Sequence, residues 1–203
     1  REYFMSYPDN VMVMRLTSDS KKGKLSRIIS LESLHTDKTI TADGHTITMT
    51  GYPTPVSGDK RVGDAWKNGL KYAQQLVVKN KGGKISVVDG TKLKVEDADE
   101  IIVLMSAATN YVQCMDDSYN YFSQEDPLEK VQATLHKVAD KKYTALLATH
   151  QKDYHSLYDR MRLNLGNLPE APVAPTDSLL KGMDENTNSE QENQYLEMLY
   201  FQF

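Results

Sequence analysis

The sequence has few of the residues that mark specialised classes of protein. Its 203 residues include one cysteine, Cys114, so an intrachain disulfide is excluded. No apolar run approaches the ~20 residues that a membrane helix needs, and no signal peptide is visible. Positive charge is not in excess, because 24 Lys and Arg stand against 28 Asp and Glu, for a net charge of -4. We therefore expect neither a nucleic-acid partner nor a membrane partner.

Motifs of metal and cofactor chemistry are missing as well. The sequence contains no G-x-S-x-G, no phosphate-binding glycine loop and no dinucleotide fingerprint. His150 and His155 would lie on different faces of a helix, so the two cannot bind one metal ion as an i, i+4 pair could. The stretch Asp116–Asn120 resembles a calcium loop, but Tyr121 occupies the place of the required glycine. We therefore predict no metal site and no cofactor.

The first half of the chain contains closely spaced stretches that alternate between apolar and polar residues. Turn residues separate them, for example Tyr7-Pro8-Asp9-Asn10, Asp43-Gly44 and Asp89-Gly90. Such strands, joined by tight turns with no helix between them, indicate an antiparallel β-sandwich. The predicted strands include Val11–Leu16, Leu25–Leu31, His45–Thr50, Gly69–Lys79, Ile85–Val88 and Lys92–Val95.

The stretch Glu100–Tyr111 is apolar on both faces of a strand. Ile101, Val103 and Met105 alternate with Ile102, Leu104 and Ala108. Burial on both faces predicts a central strand, although a short apolar run also permits a buried turn of helix. The stretch marks the point at which the strand pattern gives way to a helical one.

Helical patterns dominate the remaining chain. Asp126-Pro127 predicts a helix start, a second helix is predicted from about Tyr143, and Ser189 to Glu192 predicts the start of a last one. Asn167–Asn188 is rich in Pro, Asp and Asn and is typical of a linker. The predicted fold class is α+β: an antiparallel, supersandwich-like β-sandwich in residues 1–124 is followed by a helical linker in residues 125–203.

The long loop Gly51–Asn68 offers one candidate binding site. Trp66 and Tyr52 could stack on a sugar ring, as aromatic side chains do in carbohydrate sites. The alternative is that Trp66 pins the loop onto the sheet.

Several segments together resemble one family. R-E-Y-F-M-S-Y-P-D-N-V at Arg1–Val11, A-A-T-N-Y at Ala107–Tyr111 and H-Q-K-D-Y-H-S-L-Y-D-R at His150–Arg160 are similar to segments of bacterial glycoside hydrolase family 95, the α-L-fucosidase-like enzymes. G-L-K-Y-A-Q-Q-L at Gly69–Leu76 also resembles a family strand, and the segments occur in the family's order. The resemblance covers essentially the whole chain.

The resemblance implies the second part of a β-sandwich domain of the family 65 N-terminal type, followed by the linker. In such enzymes an α/α toroid holds the catalytic acids and hydrolyses terminal α-1,2-linked fucose with inversion. That toroid would follow Phe203, so the resemblance assigns no catalytic residue to this chain and predicts that the chain alone is inactive. The family's first strands would precede Arg1, and the sheet edges left open would allow pairing with another chain.

The expected role is therefore structural, in a secreted or periplasmic glycoside hydrolase whose toroid is the chain's partner. The first alternative is a carbohydrate-binding β-sandwich module that binds fucosylated glycans through Trp66. The second alternative is a generic protein-interaction domain.

Overall fold

The computed structural model describes residues 1–18, 24–53, 69–113, 122–162 and 174–202. Within these ranges the chain forms nine strands and four helices. The strands are β1 Glu2–Ser6, β2 Val11–Thr17, β3 Leu25–Ile29, β4 Lys38–Asp43, β5 Thr46–Gly51, β6 Tyr72–Lys81, β7 Lys84–Val88, β8 Lys92–Ala98 and β9 Glu100–Thr109. The helices are α1 Pro127–Val138, α2 Tyr143–Tyr158, α3 Thr176–Asp184 and α4 Glu190–Gln202.

The strands form two antiparallel sheets. One sheet has six strands in the order β1-β2-β9-β6-β5-β4, and the other has three in the order β3-β8-β7. Every strand pairing within the described ranges is antiparallel. The predicted antiparallel β-sandwich is therefore confirmed. Whether its outermost strands pair with another chain stays a prediction.

Two apolar cores lie on opposite faces of the six-stranded sheet. The first core joins the two sheets, and it contains Leu25, Ile47, Leu76, Val78, Leu93, Val95, Ala98, Ile101 and Val103. The second core joins the six-stranded sheet to the helices, and it contains Val11, Val13, Ala73, Leu104, Val131, Leu135, Val138 and Leu146. The six-stranded sheet is thus the middle layer of this part of the molecule.

Strand β9 lies between β2 and β6 and is covered on both faces. Ile101 and Val103 pack into the first core, whereas Leu104 packs into the second. The prediction of a central, doubly buried strand is confirmed, and the alternative of a helix turn is wrong.

At the end of β9, buried Asn110 holds the chain in place. Its amide accepts a hydrogen bond from the Lys71 N–H at 2.7 Å and donates to the Gly69 carbonyl at 2.8 Å.

Helix α1 covers the middle of the six-stranded sheet and is fixed at both ends. The Asp126 carboxylate accepts a hydrogen bond from the Leu128 N–H at 2.9 Å, and Pro127 begins the helix, as the sequence predicts. At the other end, the Lys79 ammonium donates to the carbonyl of Ala139. Burial lowers the pKa of Lys79. A cation at a helix C-terminus is favourable, so Lys79 couples β6 to this helix end.

Residues Tyr154–Phe203 form a compact unit of their own, and Arg1–Asp153 form the other. Helix α3 lies inside Asn167–Asn188, where the sequence predicted a linker and no helix. Pro175 precedes the helix with φ −61°, and Leu179 is buried, which gives α3 a start and an anchor. The Asn188 amide donates to the Leu179 carbonyl at 2.7 Å. The Pro and Asn residues that suggested a linker therefore flank a helix.

Helix α4 begins with the predicted capping arrangement. The Ser189 N–H donates to the Glu192 carboxylate at 2.8 Å, and the Glu192 N–H donates to the Ser189 hydroxyl at 3.3 Å. The hydrogen bonds from Ser189 hold the pKa of Glu192 below its usual value. Leu196 is the residue that this helix buries most fully among those described.

Candidate functional site

A polar cleft of about 160 Å³ lies where the termini of three strands and one helix come close together. We call it the edge cleft. The beginning of β4, the end of β5, the beginning of β6 and the first turn of α1 form its walls. This is the side of the sandwich at which the loop after Gly51 begins.

The side chains of the edge cleft are almost all polar, and their charges balance. Asp37 and Asp126 contribute two carboxylates, and Lys38 and Lys71 contribute two ammonium groups. The Lys38 ammonium donates to the His35 carbonyl at 2.8 Å. Four further side chains carry hydroxyl groups: Thr39, Thr50, Tyr52 and Tyr72.

Gly51 allows the backbone and a side chain to approach closely at the wall of the edge cleft. A Cβ at this position would collide with the carbonyl oxygen of Asp37 and lie 2.8 Å from the Tyr72 hydroxyl. That hydroxyl is buried and has no hydrogen-bond partner in the part of the chain that the structure describes. Buried hydroxyls are nearly always paired, so an unpaired one at a cleft wall is unusual.

The two predicted sugar-binding residues have different outcomes. Tyr52 lies in the wall of the edge cleft, and its N–H donates to the Asp37 carbonyl at 3.0 Å. Trp66 lies outside the described residues. Binding of a sugar by either residue therefore stays a prediction.

A flat face of threonines extends from the edge cleft along β4 and β5. We call Thr39, Thr41, Thr46, Thr48 and Thr50 the threonine face. The intervening residues Ile40, Ala42, Ile47 and Met49 point the other way, into the sandwich or its margin. Thr39 pairs with Thr50 and Thr41 with Thr48 across the two strands. Thr39 and Thr41 are exposed, because α1 packs on β6 and β9 instead.

A second polar arrangement joins the sandwich to the beginning of α2. We call Glu2, Phe4, Arg15, Glu100, Tyr143 and His150 the helix joint. Arg15 donates to Glu100 at 2.6 Å and to Glu2 at 2.8 Å, so one guanidinium connects β1, β2 and β9. The same guanidinium lies 4.7 Å from the centre of the Tyr143 ring, a favourable cation–π geometry.

The aromatic members of the helix joint pack in sequence. The Phe4 ring lies 5.9 Å from that of Tyr143, edge to face, and 5.0 Å from that of His150, nearly parallel. The Tyr143 hydroxyl hydrogen-bonds to Glu2, whose pKa is lowered by its hydrogen bonds from Arg15 and Tyr143. Burial and this bond to a carboxylate raise the pKa of Tyr143. These contacts hold the first half of α2 on the outer face of the sheet.

A partly buried ion pair lies just before α2 in the chain. The Asp9 side chain is only 4 % exposed and accepts hydrogen bonds from the Lys141 ammonium at 2.7 Å and the Ser6 hydroxyl at 2.6 Å. Burial alone would raise the pKa of Asp9, but these two hydrogen bonds outweigh it and lower the pKa. The pair thus connects the β1–β2 turn to the segment before α2.

No group of three or more His, Cys, Asp or Glu side chains in the described ranges could hold a metal ion. None of the helices in those ranges is both long enough and apolar enough to cross a membrane. The calcium-like stretch Asp116–Asn120 and Cys114 lie outside the described residues.

Sequence reasoning did not single out Arg15, Asp9 or Lys71. Their partners lie far away along the chain, as with Arg15 and Glu100, so no local pattern in the sequence indicates these contacts. The threonine face did leave a signal, because T-I-T and T-I-T-M-T place a hydroxyl at every second position of two adjacent strands.

Two family models match the chain in succession. The model described as glycosyl hydrolase family 65, N-terminal domain, matches residues 1–114. The model described as glycosyl hydrolase family 95 catalytic domain matches residues 142–203. The second match begins inside the segment predicted as a linker, and the boundary at residue 124 stays a prediction.

Two relatives that are similar to the chain carry the names of fucosidases. A probable alpha-fucosidase A of Aspergillus niger is 28 % identical over 209 residues, which cover 100 % of this chain and 24 % of the relative. Alpha-L-fucosidase 2 of Arabidopsis thaliana is 32 % identical over 179 residues, or 81 % of this chain and 20 % of the relative. The chain thus spans about a quarter or less of these relatives' length.

A solved structure titled putative kojibiose phosphorylase from human microbiome is similar with a TM-score of 0.45 and 10 % identity. The similarity covers 77 % of this chain and 21 % of that one. The relatives are fungal and plant proteins, so the bacterial origin stays a prediction.

The first family match covers more than half of the 203 residues, and the second adds family 95 sequence, as the resemblance to α-L-fucosidases implies. The chain therefore belongs to the glycosyl hydrolase family 65 N-terminal domain family.

Proposed function

We propose that this chain is the non-catalytic supporting part of a larger glycoside hydrolase that acts like an inverting α-L-fucosidase. Residues 1–124 are the β-sandwich domain, and the helices that follow connect it to an α/α toroid in the same polypeptide. The toroid holds the catalytic acids, and the substrates are fucosylated glycans. The whole enzyme is secreted or periplasmic.

The helix joint is the observation that carries this proposal. Residues of the N-terminal domain, Phe4 and Arg15, contact Tyr143 and His150, which lie within the stretch similar to a catalytic domain. The arginine shared between two carboxylates and the Tyr143 ring fixes the first half of α2, where the stretch similar to a catalytic domain begins, on the sandwich. The names of the two relatives support fucosidase activity for the whole enzyme.

The first test measures the chain by itself. Incubated with a fucosylated oligosaccharide, the purified chain should release no fucose, because no catalytic residue lies within it. Turnover that disappears on replacing one Asp or Glu of this chain would contradict the proposal.

The second test uses the whole enzyme with Arg15→Gln, which removes the charge shared by Glu2, Glu100 and Tyr143. We expect the free energy of unfolding to fall by about 1 kcal/mol and the enzyme to lose activity at a lower temperature, with KM unchanged. Arg27→Gln is the matched control, because Arg27 is an exposed arginine of β3 that donates to the neighbouring Ser26 carbonyl. A changed KM at low temperature in Arg15→Gln would show that the joint shapes the substrate site and does more than support it.

A further inference from the structure

The geometry points to a binding site for a neutral sugar in the edge cleft, with the threonine face as its extension. This inference goes beyond the proposed function, because a supporting domain needs no ligand. It would make the sandwich a carbohydrate-binding module as well as a support.

The charges of the edge cleft give a charged ligand no net attraction. The negative charges of Asp37 and Asp126 offset the positive charges of Lys38 and Lys71, so a charged group would lose hydration there without a net electrostatic gain. The four groups together carry no net charge, so a neutral ligand meets no unbalanced field. They also combine two kinds of hydrogen-bonding group, because carboxylates only accept and ammonium groups only donate.

A ligand that satisfies both kinds of group must itself donate and accept at short intervals. Hydroxyl groups do so, and a sugar presents them around a compact ring. The cleft volume of about 160 Å³ is many times the ~10–15 Å³ that one water needs, so the cleft has room for a small polar ligand.

The threonine face gives a longer ligand a place to continue. Thr39 and Thr50 belong both to the cleft wall and to this face, so the two surfaces are continuous. Each threonine offers a hydroxyl that donates or accepts and a methyl group that can contact the apolar side of a sugar ring. The face is exposed at Thr39 and Thr41 and carries Asp43 at its far end.

The test is calorimetric titration of the chain with two trisaccharides that differ in charge. We expect 2′-fucosyllactose, which is neutral, to bind with a Kd of about 1 mM or below. We expect 3′-sialyllactose, which carries a carboxylate, to bind at least about tenfold more weakly. Equal binding of the two sugars, or no binding of 2′-fucosyllactose in the millimolar range, would overturn the inference.

Two variants locate the binding in the cleft. Thr39→Val removes an exposed hydroxyl at nearly constant shape, and Lys71→Met removes an ammonium group but keeps an apolar stem. Each should weaken 2′-fucosyllactose binding about fivefold to tenfold. Thr17→Val is the matched control, since Thr17 is an exposed strand threonine of β2, away from the cleft, and should leave binding unchanged.

Circular dichroism establishes that all three variants are folded before they are titrated. If binding persists undiminished in Thr39→Val and Lys71→Met, the site lies elsewhere and the inference is wrong. Its failure would leave the supporting role intact, and an active isolated chain would leave the sugar site intact, so the two proposals fail independently.

Discussion

The sheet-centred unit, Arg1–Asp153, and the helical unit, Tyr154–Phe203, differ in how much apolar surface they bury. Among the described residues, the first unit buries two full cores, whereas the second buries the apolar side chains of Leu179 and Leu196. Among its described residues, the second unit exposes eight large apolar side chains: Tyr154, Leu157, Tyr158, Met161, Leu180, Met183, Tyr200 and Phe201. The described part of the first unit exposes seven, although that unit is about three times as long.

The comparison teaches where the stability of this chain resides. Burial of apolar side chains is the largest favourable term in folding, and the first unit has most of it. A short helical unit with much exposed apolar surface has a surface that suits contact with other protein. Changes in the first unit should therefore be costly, and equivalent changes in the second should be mild.

The largest expected contrast is between two leucines. Leu104→Ala removes a side chain that is 1 % exposed on β9, which should lower the free energy of unfolding by about 3–5 kcal/mol. Leu180→Ala removes one that is 52 % exposed, which should change it by less than about 0.5 kcal/mol. Urea denaturation of both variants measures the difference. Similar losses would show that the helical unit is as tightly packed as the sandwich.

The next contrast is between two asparagines that bind backbone groups. Asn110→Ala leaves the Lys71 N–H and the Gly69 carbonyl without their partner in a buried place, and should cost about 2–3 kcal/mol. Asn188→Ala frees the Leu179 carbonyl in a half-buried place and should cost about 1 kcal/mol. Thermal unfolding followed by circular dichroism ranks the two, and the reverse order would contradict the comparison.

The smallest contrast depends on pH. The folded-state pKa of Asp9 is lowered, so its stabilisation is present above the unfolded value of about 3.9 and is lost as pH falls through the folded value. Asp9→Asn should cost about 1–2 kcal/mol at pH 7, and the difference from the unmodified chain should vanish in strong acid. In the helical unit, the exposed His155–Asp159 pair should contribute little, so Asp159→Asn is the control. A pH-independent effect of Asp9→Asn would show that its charge is not involved.

Local patterns were enough to predict much of the fold. Alternating residues revealed both faces of β9, and Asp126-Pro127 and Ser189–Glu192 revealed two helix starts, because each signal lies within a few neighbouring residues. Helix α3 was missed because Pro175 and the surrounding Asn and Asp residues are typical of loops as well as of helix ends.

The candidate sites were less accessible to sequence reasoning. The edge cleft collects Asp37, Gly51, Lys71 and Asp126 from segments that only the sheet order brings together. The helix joint likewise needs Arg15 and Tyr143 to meet across the six-stranded sheet. Tyr52 was identified because a tyrosine at the start of a long loop can be recognised from the sequence alone.

The central position of β9 also sets the order in which the protein can assemble on the ribosome. Strand β2 ends at Thr17, but its neighbour β9 begins at Glu100, so about 80 residues must be made before the two can pair. At roughly 5–20 residues per second, the β1–β2 hairpin waits on the order of 4–16 s with its apolar side chains uncovered. Pairings this distant in sequence also slow refolding. The nascent hairpin is therefore the segment for which a chaperone has the longest opportunity to bind.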